Sequence, residues 1–95
     1  MRVVITKSKR DDKRLQAKFG NKTVHFGSKN GSTFVDHRDK KTKAAWEARH
    51  SVREDWSDFD SAGALAKNIL WNKPTITGSI KNLNSRQKQY QFVFK

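Results

Sequence analysis

The stretch Arg14-Leu15-Gln16-Ala17-Lys18-Phe19-Gly20-Asn21-Lys22-Thr23-Val24-His25-Phe26-Gly27 decides the fold. Leu15, Ala17 and Phe19 share one face, with Arg14, Gln16 and Lys18 on the other. After the break, Val24 and Phe26 point one way, and Thr23 and His25 the other. A period of two puts successive side chains on opposite faces of a half-buried strand. Gly20-Asn21 interrupts the pattern as a tight hairpin signal, in the reverse order of the favoured Asn-Gly pair. Strands at 14–19 and 22–27 follow. Upstream, Val3 and Ile5 share a face and Ser8 to Lys13 is a charged turn, so a strand at 2–7 completes a three-stranded antiparallel meander.

Downstream the pattern changes. Gly27-Ser28-Lys29-Asn30-Gly31-Ser32 is a loop by composition. Asp39 can cap a helix from Lys40 to His50, a run rich in helix formers such as Ala44, Ala45, Glu47 and Ala48. An acidic connector, Arg53 to Asp60, follows. A second helix, capped by Asp60 or Ser61, runs to about Trp71, with Ala62, Leu65, Ala66, Ile69 and Leu70 at three-four spacing. Pro74 suits the first turn of a third helix lined by Ile76, Ile80 and Leu83, which Gly78 weakens. Gln89 to Phe94 alternates again, with Tyr90, Phe92 and Phe94 on one face. That is a fourth strand, or an arm that adds to a neighbour's sheet. The expected fold is α+β: a three- to four-stranded antiparallel sheet, the N-terminal meander plus the C-terminal strand, with two to three helices on one face. Residues 1–84 form the domain, and 85–95 the C-terminal strand or arm.

Composition narrows the function. The chain has 95 residues, enough for one small core. Its 21 Lys and Arg against 9 Asp and Glu give a net charge of +12, with a pI near 10.4 and a mean hydropathy of −0.95. The absence of cysteine excludes disulfides, Cys-ligated zinc, iron–sulfur clusters and thiol chemistry. No apolar run reaches the roughly 18 residues of a membrane span, and the N-terminus reads as a strand rather than a signal peptide. The expected setting is neither secreted nor membrane-bound.

A solvated basic face that serves only solubility is the plain reading, but it asks for a net charge of magnitude about 2–8 in a small domain. At +12 the self-repulsion is a standing cost that a polyanion relieves. The charge is densest in the first hairpin: Lys7, Lys9, Arg10, Lys13, Arg14 and Lys18. Gln16, His25 and Thr23 lie beside them. A second cluster, Arg38, Lys40, Lys41 and Lys43, opens the first helix. Cations there oppose the helix dipole and call for a compensating anion, so this too is a phosphate-site candidate. Phe26, Phe34 and Trp46 are candidates for base stacking, although so small a core needs its aromatics inside. Sequence-specific readout is not expected, because no zinc finger, leucine-zipper or RNA-recognition signature is present.

Catalysis finds little support. Asp36, His37, Asp39 and His50 are the only residues that invite a metal-dependent nuclease reading, and their spacing matches no ligand motif. Helix capping explains them as well. No catalytic residue, metal or cofactor is expected.

An ordered series of short motifs carries a resemblance. It comprises Lys7-Ser8 with Arg10 and Lys13, then Thr23-Val24-His25-Phe26-Gly27, Asp36-His37, Arg49-His50 and Trp56. Ala62-Gly63 and Leu70-Trp71-Asn72-Lys73-Pro74-Thr75 complete it. Over roughly residues 2–83 the chain resembles a family of small basic proteins of unknown function from large DNA viruses of algae and amoebae and from some phages. His-Phe-Gly and Leu-Trp-Asn-Lys-Pro are the most specific pieces. The chain departs from that pattern in Trp46, where tyrosine is usual, and in Phe34-Val35, where the pair is more polar. The resemblance implies a viral setting, in the virion or the infected cell, and assigns no activity to any residue.

The function expected from these observations is non-enzymatic binding of nucleic acid, DNA in preference to RNA, mainly through phosphates. Lys7, Arg10, Lys13, Arg14, Lys18, Arg38, Lys40 and Lys41 would carry it, with Gln16 and His25 adding hydrogen bonds. The alternative is a minor capsid or cement protein that contacts capsid proteins through Tyr90, Phe92 and Phe94.

Overall fold

Alternation of apolar and polar residues builds the sheet where it was expected. The computed structural model describes residues 1–52 and 55–95. Strands β1 (Arg2–Lys7), β2 (Lys13–Phe19) and β3 (Lys22–Ser28) form an antiparallel meander. Val4 pairs with Lys18 across β1 and β2, and Leu15 with Phe26 across β2 and β3. Gly20 takes the left-handed φ of 62° that the hairpin requires. Strand β4 (Gln91–Phe94) completes the order β3-β2-β1-β4. It pairs with β1 in parallel, Val3 opposite Phe92, whereas an all-antiparallel sheet was expected. The reason is connectivity: the helices return the chain to the end of the sheet where β1 starts, and alternation carries no strand direction.

The helices gather on one side. Helix α1 (Phe34–His37) is one turn, opened by a capping box between Thr33 and Asp36 and closed by Arg38 at a left-handed φ of 57°. Four residues are too few to show a period, so alternation and helical spacing give no signal for this turn. Helix α2 (Lys40–His50) has the expected bounds, with Asp39 as N-cap. Arg53 and Glu54, the first residues of the acidic connector, lie outside the described residues. Helix α3 (Ala62–Leu65) is capped by Ser61, not Asp60, and widens into a π-helical turn at Ala66–Leu70. Asn68, buried in that turn, donates from its side-chain amide to the carbonyls of Ala64 at 2.9 Å and Trp56 at 3.2 Å. Helix α4 (Ile76–Arg86) starts at Thr75, so Pro74 precedes the cap rather than filling the first turn.

The core lies between the sheet and α3, the π-helical turn and α4. Val3, Ile5, Ala17 and Phe26 from the strands meet Leu65, Ile69, Leu70 and Leu83 from the helices. Phe92 of β4 is in the same cluster, so the C-terminal strand belongs to the core. Helix α2 buries none of its residues. Trp46 holds it, stacked on Trp71 at 4.8 Å between ring centroids. No helix among the described residues is long and apolar enough to cross a membrane.

Candidate nucleic-acid interface

The outward side chains of the meander remain uncovered. Val4, Thr6, Gln16, Lys18, Thr23 and His25 are exposed or half-buried, and among the described residues the helices pack against the opposite face. The charged turn between β1 and β2 folds onto one end of this face. Ser8 Oγ lies 2.8 Å from His25 Nδ1 and accepts the Arg10 N–H at 3.0 Å, while Gln16 Oε1 accepts the Lys9 N–H at 3.2 Å. Lys9, Arg10, Gln16, Lys18, Thr23 and His25 thereby line one shallow depression. Arg10 reaches Asp12 at 2.9 Å, but both side chains are more than half exposed. Such a pair is worth little and leaves the guanidinium free to exchange partners. Lys9, counted in the sequence only as hairpin charge, belongs to this site through that turn, a contact that alternation does not encode.

Other expected contacts lie elsewhere. Lys7 and Lys13 share strand parity with Ile5 and Leu15, so they emerge on the helix side of the sheet's end. Arg14 is committed internally. Its Nη2 donates to Asp36 Oδ1 at 2.8 Å and its Nη1 to Asp36 Oδ2 at 2.5 Å, tying β2 to α1. The Arg14 guanidinium, helped by the Thr33 N–H and hydroxyl and opposed by partial burial, holds the Asp36 carboxyl well below the usual carboxylate range. Arg14 is therefore a clamp between elements rather than an outward cation.

Arg38, Lys40 and Lys41 are exposed at the start of α2, on the helix side. Arg38 Nε donates to the Pro74 carbonyl at 3.3 Å. The anion that the cationic first turn calls for is Asp39 itself. It accepts from the backbone N–H of Lys41 at 3.0 Å and the Thr42 hydroxyl at 2.9 Å, and these bonds, the Thr42 one foremost, lower its pKa. The two basic clusters of the sequence thus fall in separate regions, the hairpin cluster at the open face and the second on the helix side.

The stacking candidates are interior: Phe26 and Phe34 belong to the core, and Trp46 lies between Trp71 and the His50 ring, the latter at 4.3 Å. Among the described residues no aromatic side chain lines the depression on the open face.

The residues expected to bind a partner through β4 serve the chain itself. Phe92 is 2% exposed, and Tyr90 packs edge-on against Phe19 at 5.2 Å. Phe94 alone of the three is exposed. The outer edge of β4 is also occupied. Asn84 accepts the Phe92 N–H and donates to the Phe92 carbonyl, both at 2.9 Å. Gln87 does the same for Tyr90, at 2.9 and 2.8 Å. Two side-chain amides thus fill the hydrogen-bonding places of a neighbouring strand, and β4 offers no bare edge there for β-addition.

Asp36, His37, Asp39 and His50 do not assemble. Asp36 holds Arg14, Asp39 caps α2, and His37 Nδ1 accepts the Asp39 N–H at 2.9 Å. Among the described residues no three His, Asp or Glu side chains gather as a metal site.

No curated protein matches the chain, and no solved structure matches it. A family model, that of a family of unknown function (DUF5754), matches residues 3–50, which span the meander, α1 and α2. By that match over half of its length, the chain belongs to this family of unknown function.

Proposed function

We propose that the chain binds nucleic acid without chemistry, through phosphates, on the open face of its sheet. The observation that carries this reading is the depression lined by Lys9, Arg10, Gln16, Lys18, Thr23 and His25. Three cations there have no buried anion to neutralise them, and Gln16, Thr23 and His25 supply hydrogen-bonding groups for phosphate or sugar oxygens. The depression lacks aromatic side chains, so contact runs along the backbone rather than by base stacking. A net charge of +12 adds long-range attraction. In the viral setting that the resemblance implies, such a protein would coat or neutralise genome.

The test is affinity for short duplex DNA, and for single-stranded DNA and RNA, across a salt series. We expect log K to fall with log salt at a slope of about −4 or steeper, at about 0.9 per phosphate neutralised. Lys9→Glu with Lys18→Glu should flatten that slope by about 2 and weaken all sequences alike. Arg14 is not the residue to reverse, because losing its bond to Asp36 would disturb the fold. Undiminished binding by the double variant, with a wild-type circular dichroism spectrum, would overturn the open-face reading.

A further inference from the structure

A second concave site lies on the helix side, between α2 and the loop that leads into α4. Phe34, Lys40, Lys43, Glu47, Asn72, Lys73 and Pro74 line an open cleft of about 490 Å³, within the ~300–1,000 Å³ range of small-ligand sites. Its charge is unbalanced. Lys40, Lys43 and Lys73 all border it, and the one carboxylate that lines it among the described residues, Glu47, is already paired with Lys67 at 2.8 Å. Lys43 is the fixed member. Its Nζ donates to the Asn72 carbonyl at 2.8 Å and lies 4.9 Å from the centroid of the Phe34 ring. That leaves two of its three donors for another acceptor. Burial, with the neighbouring Lys67, Lys73 and Lys40, lowers the Lys43 pKa despite the opposing effect of Glu47. An anion in the cleft would reverse that penalty. Lys73 is placed by its backbone, whose N–H donates to the buried Ser79 hydroxyl at 2.9 Å.

Three ammonium groups around one cleft suit a small dianion better than a carboxylate or a single diester charge, and lysines serve phosphate as point charges. The volume leaves room for an organic group beyond the phosphate. We propose that this cleft binds a phosphate monoester, carried either by a free nucleotide or by the terminal phosphate of a strand. The site is separate from the open face and does not depend on what the sheet binds.

The probes are 5′-AMP, adenosine, and sodium sulfate at matched ionic strength, each titrated into the isotopically labelled full chain and followed by amide NMR shifts. We expect AMP to move the amides of Lys43, Asn72 and Lys73, with an affinity about tenfold or more above that of adenosine or sulfate. Lys73→Met, an exposed position that should leave the fold intact, should remove most of that difference, and Lys43→Met should do the same. Lys9→Glu with Lys18→Glu should leave the AMP response intact even if it abolishes DNA binding, which keeps the two proposals separable. A 5′-phosphorylated oligothymidylate compared with its 5′-hydroxyl form identifies the source: a preference for the phosphorylated strand assigns the terminal phosphate, and AMP binding without it assigns the free nucleotide. If AMP, adenosine and sulfate act alike, or if AMP shifts amides away from the cleft only, the proposal is overturned.

Discussion

Asp36 shows how one residue can answer to several elements. Its carboxylate takes the Arg14 guanidinium from β2 and the Thr33 N–H and hydroxyl at the start of α1. Its pKa lies below the unfolded-chain value, so its contribution to stability is complete above about pH 3.9 and is lost as pH falls toward the depressed folded value. Asp36→Asn should cost about 1 kcal/mol near neutral pH, since the pair is partly exposed and screened. Urea midpoints followed from pH 7 into strong acid check this: the gap between wild type and variant should be full at pH 7, begin to close below about pH 3.9 and narrow steadily as the depressed folded value is approached. A gap that does not narrow with falling pH would mean that packing, not charge, is what the carboxylate supplies. Parity along β2 puts Arg14 with Gln16 and Lys18, but it does not show that the guanidinium is taken by Asp36 instead of standing free. Its partner lies 22 residues away and arrives only when α1 folds against the meander. Gly27 is needed at the same corner. Its φ is 79°, and a Cβ there would come within 2.6 Å of Leu70 Cδ1, so the positive φ and the close approach both require glycine.

At the scale of elements, β4 is the instructive case. It is an edge strand made of alternating aromatics, a composition prone to pair with other chains. The Asn84 and Gln87 amides, from the last turn of α4 and just beyond it, satisfy both backbone groups of Phe92 and of Tyr90. Asn84→Ala with Gln87→Ala should expose that edge and give concentration-dependent association beyond that of the wild type. Light scattering coupled to size exclusion reads the outcome, and a variant whose mass matches the wild type at every concentration would show that the amides do not guard the edge. The strand was readable from Tyr90, Phe92 and Phe94. Its guard was not, because polar residues near a helix C-terminus look the same whether they face water or a strand. The π-helical turn at Ala66–Leu70 was likewise hidden behind a three-four pattern that reads as an ordinary helix. Helix α2, by contrast, was bounded correctly because Asp39 and the run of helix formers are local signals.

The whole molecule carries +12 within a Cα radius of gyration of 12.4 Å, about one Debye length at 0.1 M salt. Charges across the molecule therefore repel one another at low ionic strength. Raising NaCl from about 0.02 to about 0.3 M should raise the Tm of the free protein, with about 4–8 °C for each kcal/mol of repulsion screened. Duplex DNA should raise Tm at low salt by mass action and lose that effect at high salt, where its affinity falls. The two salt responses have opposite signs. A free-protein Tm that falls with added salt would mean that paired charges such as Arg14 with Asp36 outweigh the net repulsion.

By itself, the sequence determined the class of the fold, the three strands of the meander, the bounds of α2 and the excess of positive charge. Each follows from local signals: alternation, a hairpin glycine, an N-cap aspartate, and counting. Only the tertiary structure decided the rest: the parallel direction of β4, the pairing of Arg14 with Asp36, and the covered edge at Tyr90 and Phe92. It also decided the division of the basic residues between an open sheet face and a cleft beside α2. These depend on which distant segments meet, and the periodicity of a strand or helix says which face is apolar without saying what will lie against it.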